Sequence, residues 1–273
     1  MTVKTLLVHV DNAKACEGRI AAAAALANRF DAELSGIYVT ESFPYGYADG
    51  MMLSPTVVQR VEEEIAASAK AAEDAFCDAA ASVTSGTRWT ALTGPRMERL
   101  SVAARCVDLA IVGQHNADDA RSPSVGLAGD IALTAGRPVL MIPSIGAGSP
   151  IGERPMVAWN GSREAARAVT DAMPFLLAAS RVDLFAVGDV AAQGASASDA
   201  AAHLARHGID VEMHALPGDK YEPEDYLLSY AVDLGTDLLV MGAYGHSRTR
   251  EFVFGGVTRT VLSEVLIPTL LSH

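Results

Sequence analysis

Short apolar runs alternate along this chain with longer, alanine-rich and charged stretches, and the whole alternation occurs twice. Val3–Val10, Glu33–Val39, Thr87–Leu92 and Leu109–Val112 read as strands, as do Pro155–Trp159, Val182–Val187, Val211–Leu216 and Leu238–Met241. Helical stretches lie between them, Ala15–Phe30 and Val57–Ser82 in the first half, Arg163–Ala179 and Ser198–His207 in the second. Each half closes on a proline-led strand, Arg137-Pro138-Val139-Leu140 and Ile267-Pro268-Thr269-Leu270. Apolar strands separated by helices predict parallel sheets covered on both faces, because each crossover helix packs back onto the sheet.

The halves match element for element, so the chain reads as an internal duplication. The predicted fold class is α/β: two tandem, doubly wound domains, each with a five-stranded parallel sheet. The first covers residues 1–146 and the second 153–273, with the Gly- and Pro-containing segment Ile145–Arg154 as the linker.

Composition narrows the function classes. Half of the 273 residues are hydrophobic and 20% are charged, which supports a substantial core. The net charge of −12 argues against nucleic-acid or anionic-membrane partners, since both need clustered Lys and Arg. No apolar stretch approaches the length of a membrane span, and residues 1–9 lack the pattern of a secretion signal, so a cytoplasmic location is expected. Three widely spaced cysteines, Cys16, Cys77 and Cys106, fit free thiols better than a disulfide framework.

The candidate chemistry lies in the second half. The strand ending at Met241 runs into Gly242-Ala-Tyr-Gly245, and Gly255-Gly256-Val257-Thr258 opens the next helix. Strand, glycine loop and helix start together present backbone N–H groups and the positive end of a helix dipole to an anion. Gly242 and Gly245 would let the backbone approach a ligand closely, and no lysine follows, so a phosphate would be held by backbone. The first half has Gly113-Gln-His-Asn116 and Val125-Gly126-Leu127-Ala128 in the equivalent places. Asn116 replaces a glycine, the Gly-Gly-Val-Thr cluster survives only as Gly126, and acidic Asp118 and Asp119 would repel phosphate. Tight phosphate binding is therefore not expected there. The alternative for all these glycines is a set of left-handed turns with no ligand.

Taken together, Gly242-x2-Gly245-x9-Gly255-Gly256, Val157–Glu164 and Phe254–Thr258 resemble tandem bacterial universal stress protein domains, and the resemblance covers essentially the whole chain. It implies an adenine nucleotide alpha-hydrolase-like fold with pseudo-twofold related halves. It also implies ATP, with or without Mg, as the ligand, near Asn160 at the end of the first strand, Val187 at the end of the second, and Met241. Gly242, Gly245, Gly255, Gly256, Val257 and Thr258 would then surround ribose and phosphates. Two positions depart from the family pattern: Gly256 stands where a hydroxyl residue is usual, and Asn160 replaces an aspartate. The family also implies pairing of the fifth strands, which a tandem chain can satisfy internally between 139–142 and 269–272, with a homodimer as a further option. The expected role is nucleotide-dependent stress response, with weak ATP hydrolysis conceivable but no catalytic residue and no metal ligand identified. The alternative is a nucleotide-independent dimeric interaction module with a structural glycine loop. An adenylyl-transferring enzyme is a third reading, disfavoured by the missing HxGH-type signature.

Three weaker features remain. The insertion Glu41–Thr56 is rich in aromatic and methionine residues, as a lid or a packing surface would be. His203 and His207 stand four apart on a helix and read as a solvated face. Ser162 is placed to cap the helix beginning at Arg163, leaving Asn160 for a ligand.

Overall fold

The computed structural model describes residues 2–41, 54–148, 150–187, 195–216, 223–244 and 256–273. The first half runs β1 (Thr5–Val10), α1 (Cys16–Phe30), β2 (Glu33–Thr40), α2 (Pro55–Ala79), β3 (Thr87–Thr93), α3 (Arg96–Ala104), β4 (Leu109–Gly113), α4 (Leu127–Ala135) and β5 (Val139–Ile142). The second repeats this order as β6 (Pro155–Ala158), α5 (Arg163–Leu176), β7 (Val182–Val187), α6 (Ala197–Arg206), β8 (Val211–Leu216), α7 (Pro223–Asp233), β9 (Leu238–Gly242), α8 (Gly256–Glu264) and β10 (Thr269–Ser272).

All ten strands form one sheet in the order β3-β2-β1-β4-β5-β10-β9-β6-β7-β8. Within each half the strands are parallel, as continuous apolar runs such as Leu109–Val112 require. The halves meet through β5 and β10, which pair antiparallel with Leu140 opposite Leu270. This is the internal pairing expected of the two fifth strands, and it buries both edges that would otherwise be exposed. The outer edges of the sheet are β3 and β8.

Helices α1, α2, α5 and α6 cover one face of this sheet, and α3, α4, α7 and α8 cover the other, each face with its own buried cluster. Both clusters run across the junction between halves. Phe30 and Phe175, one from each half, meet edge to face at 5.0 Å. The connecting segment is also tied down. The Asp237 carboxylate accepts from the N–H groups of Gly152, Glu153 and Arg154 at 2.8 to 3.0 Å. Arg29 Nη1 donates to the Ile151 carbonyl at 2.5 Å. The same device recurs in the first half, where Asp108 Oδ2 accepts from the N–H groups of Lys4 and Thr5. An aspartate before the fourth strand thus grips the chain entering the first strand in both halves.

Ser54 begins α2, its hydroxyl accepting from Val57 N–H, with Pro55 at the first helical position. The aromatic and methionine residues between 42 and 53 lie outside the described residues.

Candidate functional site

Strand order in each half reverses beside its first strand, between β1 and β4 and between β6 and β9. A ligand crevice in such a sheet opens at the carboxyl ends of those two strands. In the second half Ala158 of β6 lies opposite Met241 of β9, so the segments leaving both strands start side by side.

Asn160 leaves β6 exposed, as a ligand contact would need. Its carbonyl oxygen, however, accepts from Ser162 N–H at 3.1 Å and from the Ser162 hydroxyl at 2.7 Å. The Ser162 oxygen in turn accepts from Ala165 N–H at 3.2 Å, so Ser162 caps α5 as its sequence position suggested. Only the Asn160 amide N–H groups remain for a partner from outside. Met241 is buried in β9 within the cluster under α7 and α8.

Gly242 has a reason for lacking a side chain that the spacing did not reveal. A Cβ there would stand 2.6 Å from Ala165 N and 2.6 Å from the Glu164 carbonyl carbon. The start of α5 packs directly on this glycine. Thr258 is buried on the first turn of α8, and its hydroxyl oxygen accepts from Tyr244 N–H at 3.4 Å. Gly256 and Val257 open the same helix, and Val187 ends β7. Gly245 and Gly255 lie outside the described residues, as does the Val187 side chain.

Two polar residues near this crevice escaped sequence reasoning. Glu164 is buried at the start of α5 and pairs with Arg163. Burial pushes its carboxyl up, but the Arg163 hydrogen bond and charge, a backbone N–H and His273 together outweigh this, and the pKa falls below the ordinary value. His273 Nδ1 donates to the Ala243 carbonyl at 2.9 Å. Neither carries a motif; only the closeness of β9, β10 and α5 brings them together.

The part of the first-half crevice beside Asp11 and Gly113 is filled from within. Arg19 of α1 is 1% exposed and places Nη2 2.8 Å from Asp11 Oδ2, at contact distance but off the hydrogen-bond line. Its Nε donates to the His9 carbonyl at 2.8 Å. A Cβ on Gly113 would collide with this guanidinium. Asp11, the residue at the end of the first strand, is thus engaged by the chain itself. Counting along from Asp11 and from Asn160, the position of Arg19 falls on Ala168 in the second half. At Gly242 the backbone of α5 is the nearest neighbour, whereas at Gly113 it is the Arg19 guanidinium of α1.

His9 lies beside this pair. Burial, then the Arg19 charge, lower its pKa to about 3 against the opposing pull of Asp11, so the 3.6 Å approach of Nδ1 to Asp11 is not an ion pair at neutral pH.

The two helices that would face an anion also differ. α8 has no acidic residue in its first turn, whereas α4 carries Asp130 there. The macrodipole at the start of α8 is therefore uncompensated by its own side chains.

Elsewhere Asp183, Glu212 and His214 cluster with ligand-type atoms within 4.8 Å of one another. Arg181 already bridges the carboxylates, with Nη1 2.8 Å from Glu212 and Nη2 3.4 Å from Asp183. His203 and His207 have ring centroids 4.9 Å apart.

Residues 153–273 match the model of the Universal stress protein family. A curated relative, universal stress protein Slr1230 of Synechocystis, is 40% identical over 67 residues; the chain spans only 22% of that protein's length. Among solved structures, a universal stress protein from Archaeoglobus fulgidus covers 99% of this chain and 96% of its own, with a TM-score of 0.72 and 13% identity. A functionally unknown protein from Pseudomonas aeruginosa covers 99% of this chain and 92% of its own, with a TM-score of 0.58 and 11% identity. The likeness to these structures is one of fold over the full tandem.

Proposed function

We propose, from the premise that residues 153–273 belong to the universal stress protein family, that the second half binds an adenine nucleotide and serves in nucleotide-dependent stress response. ATP, with or without Mg, is the ligand we assign, and the cytoplasm the location. The observation that carries the reading is the β6/β9 reversal, where Ala158 and Met241 lie opposite one another and α8 begins without an acidic first turn.

The residues available fit such a ligand in a particular way. Asn160 amide N–H groups would meet the base or ribose, because its carbonyl already holds Ser162. The Thr258 hydroxyl accepts from Tyr244 and keeps its own proton to donate to a phosphate oxygen. The N–H groups at the start of α8, from Gly256 and Val257 onward, would supply the rest of the cradle, together with the Gly245 and Gly255 segments. Gly242 contributes indirectly, by letting α5 pack against β9.

A second reading is a nucleotide-independent interaction module. The engagement of both Gly242 and the Asn160 carbonyl by α5 favours it, since those features then need no ligand.

Mass spectrometry of the denatured, freshly purified protein, followed by calorimetric titration with ATP, separates the two. Binding of ATP that weakens about tenfold or more in Thr258→Val supports the site, one charge-assisted hydrogen bond being worth roughly 1.5–3 kcal/mol. No retained nucleotide and no ATP heat would leave the interaction module. Gly242 is a poor position for this test, because even an alanine there would displace α5.

A further inference from the structure

A cavity of about 590 Å³ lies where the halves meet, within the size range of small-molecule sites. The end of β4 and the start of α4 form one wall and Tyr244 with Leu262 form the other, so neither half makes it alone. Its surface is largely apolar, with Leu127, Met141 and Leu262 contributing.

The polar groups are of one kind. Asp130 is the only Asp, Glu, Lys or Arg among the described residues lining it. Thr134 Oγ1 donates to the Asp130 backbone carbonyl, not to its carboxylate. Burial pushes the Asp130 carboxyl up, and burial, then the Asp130 charge, raise the Tyr244 phenol. His115 Nδ1 lies 2.8 Å from the Pro123 carbonyl, which can only accept, so the neutral ring carries its proton there and presents Nε2 as an acceptor.

Tyr244 is held in the left-handed region at φ 59° and is anchored through its N–H to Thr258. Its ring presses on Gly129, where a Cβ would stand 2.9 Å from Cζ. An aromatic ring, a carboxylate and an imidazole acceptor around an apolar pocket suit a cation with an apolar body. A phosphate or carboxylate would meet Asp130 with no Lys or Arg among the described lining residues to offset it, and Asp130 also quenches the dipole at the start of α4.

We infer that this interdomain cavity binds a small organic amine, with its ammonium group on Asp130 and its apolar part among Leu127, Met141, Leu262 and Tyr244. The site shares Tyr244 and helix α8 with the nucleotide site proposed for the second half, but takes the opposite charge.

Phenethylamine is a suitable probe, titrated into the full chain alongside 3-phenylpropionate and 2-phenylethanol, which have similar size but a negative or neutral head. The expected result is at least tenfold tighter binding of the amine than of either analogue, and at least tenfold loss in Asp130→Asn with the unliganded melting temperature unchanged. Should Asp130→Asn fail to fold, Val125→Trp at the exposed rim of the cavity should abolish amine binding instead. Excess ATP should not displace the amine. Equal binding of the three probes, no binding of any, or an unaffected Asp130→Asn or Val125→Trp would each overturn the inference.

Discussion

The guanidinium of Arg19 lies against Gly113, so that the first half's crevice holds a cation from its own helix, 2.8 Å from the Asp11 carboxylate. Both partners are buried, Arg19 at 1% and Asp11 at 9% exposure. Removing the cation alone would strand a buried carboxylate. Arg19→Leu should therefore cost about 3–5 kcal/mol of stability in urea unfolding. The double variant Arg19→Leu with Asp11→Asn should cost less than Arg19→Leu alone, since Asn retains the oxygen that accepts from Ala13 N–H. A double variant no more stable than the single one would show that the pair is not coupled in this way.

His9 makes stability fall in acid. Its folded pKa is about 3, whereas the unfolded imidazole titrates near its model value of 6.5. Below pH 6.5 the unfolded chain takes up a proton that the folded chain refuses, so its contribution is complete above 6.5 and is lost progressively down to about pH 3. The slope of unfolding free energy against pH should include up to about 1.4 kcal/mol per pH unit from this residue. His9→Leu should flatten the profile between those limits. Parallel profiles for the two proteins would rule out His9 as the cause.

Asp108 and Asp237 should behave as an equivalent and independent pair. Each carboxylate accepts from successive backbone N–H groups at the entry to its half's first strand. Burial pushes the Asp108 carboxyl up, but the Lys4 and Thr5 hydrogen bonds outweigh this and its pKa is lowered. Asp108→Ala and Asp237→Ala should each destabilise by about 1–3 kcal/mol, and the two losses should add. Strong non-additivity in the double variant would point instead to coupling through the junction of the halves.

The cysteines should divide by reactivity. Cys77 and Cys106 are exposed, while Cys16 is buried, its thiol pushed up by burial and its sulfur accepting from Asp11 N–H at 3.3 Å. A thiol reagent should modify Cys77 and Cys106 in the native protein and reach Cys16 only on unfolding, since the thiolate is the reactive form. Rapid native labelling of Cys16, located by peptide mapping, would contradict this packing.

Much of the fold was legible along the chain because strands buried on both faces must be nearly continuous apolar runs. Leu238–Met241 and Leu109–Val112 have no other stable place, and the proline-led ends before Val139 and Thr269 marked the fifth strands. The family resemblance implied that β5 and β10 could pair within a tandem chain, which they do. The site was less legible. Ser162 was readable as a cap, but the use of the Asn160 carbonyl to hold Ser162 depends on side-chain geometry two residues apart. Gly242 was readable as a close-approach position, yet what approaches it is the backbone of α5 rather than anything in its own loop.

The sequence by itself determined the α/β class, the repeat, the strand order's likeness between halves and the charge that disfavours nucleic-acid partners. Those properties are local or periodic, and each residue carries its share of them. Tertiary structure alone decided that Arg19 lies against Gly113 in one crevice while the α5 backbone lies against Gly242 in the other. It also decided that Asp130 of one half and Tyr244 of the other line a single cavity. Such relationships join residues far apart in the chain through the closeness of helices across a sheet, and a linear pattern contains no term for that distance.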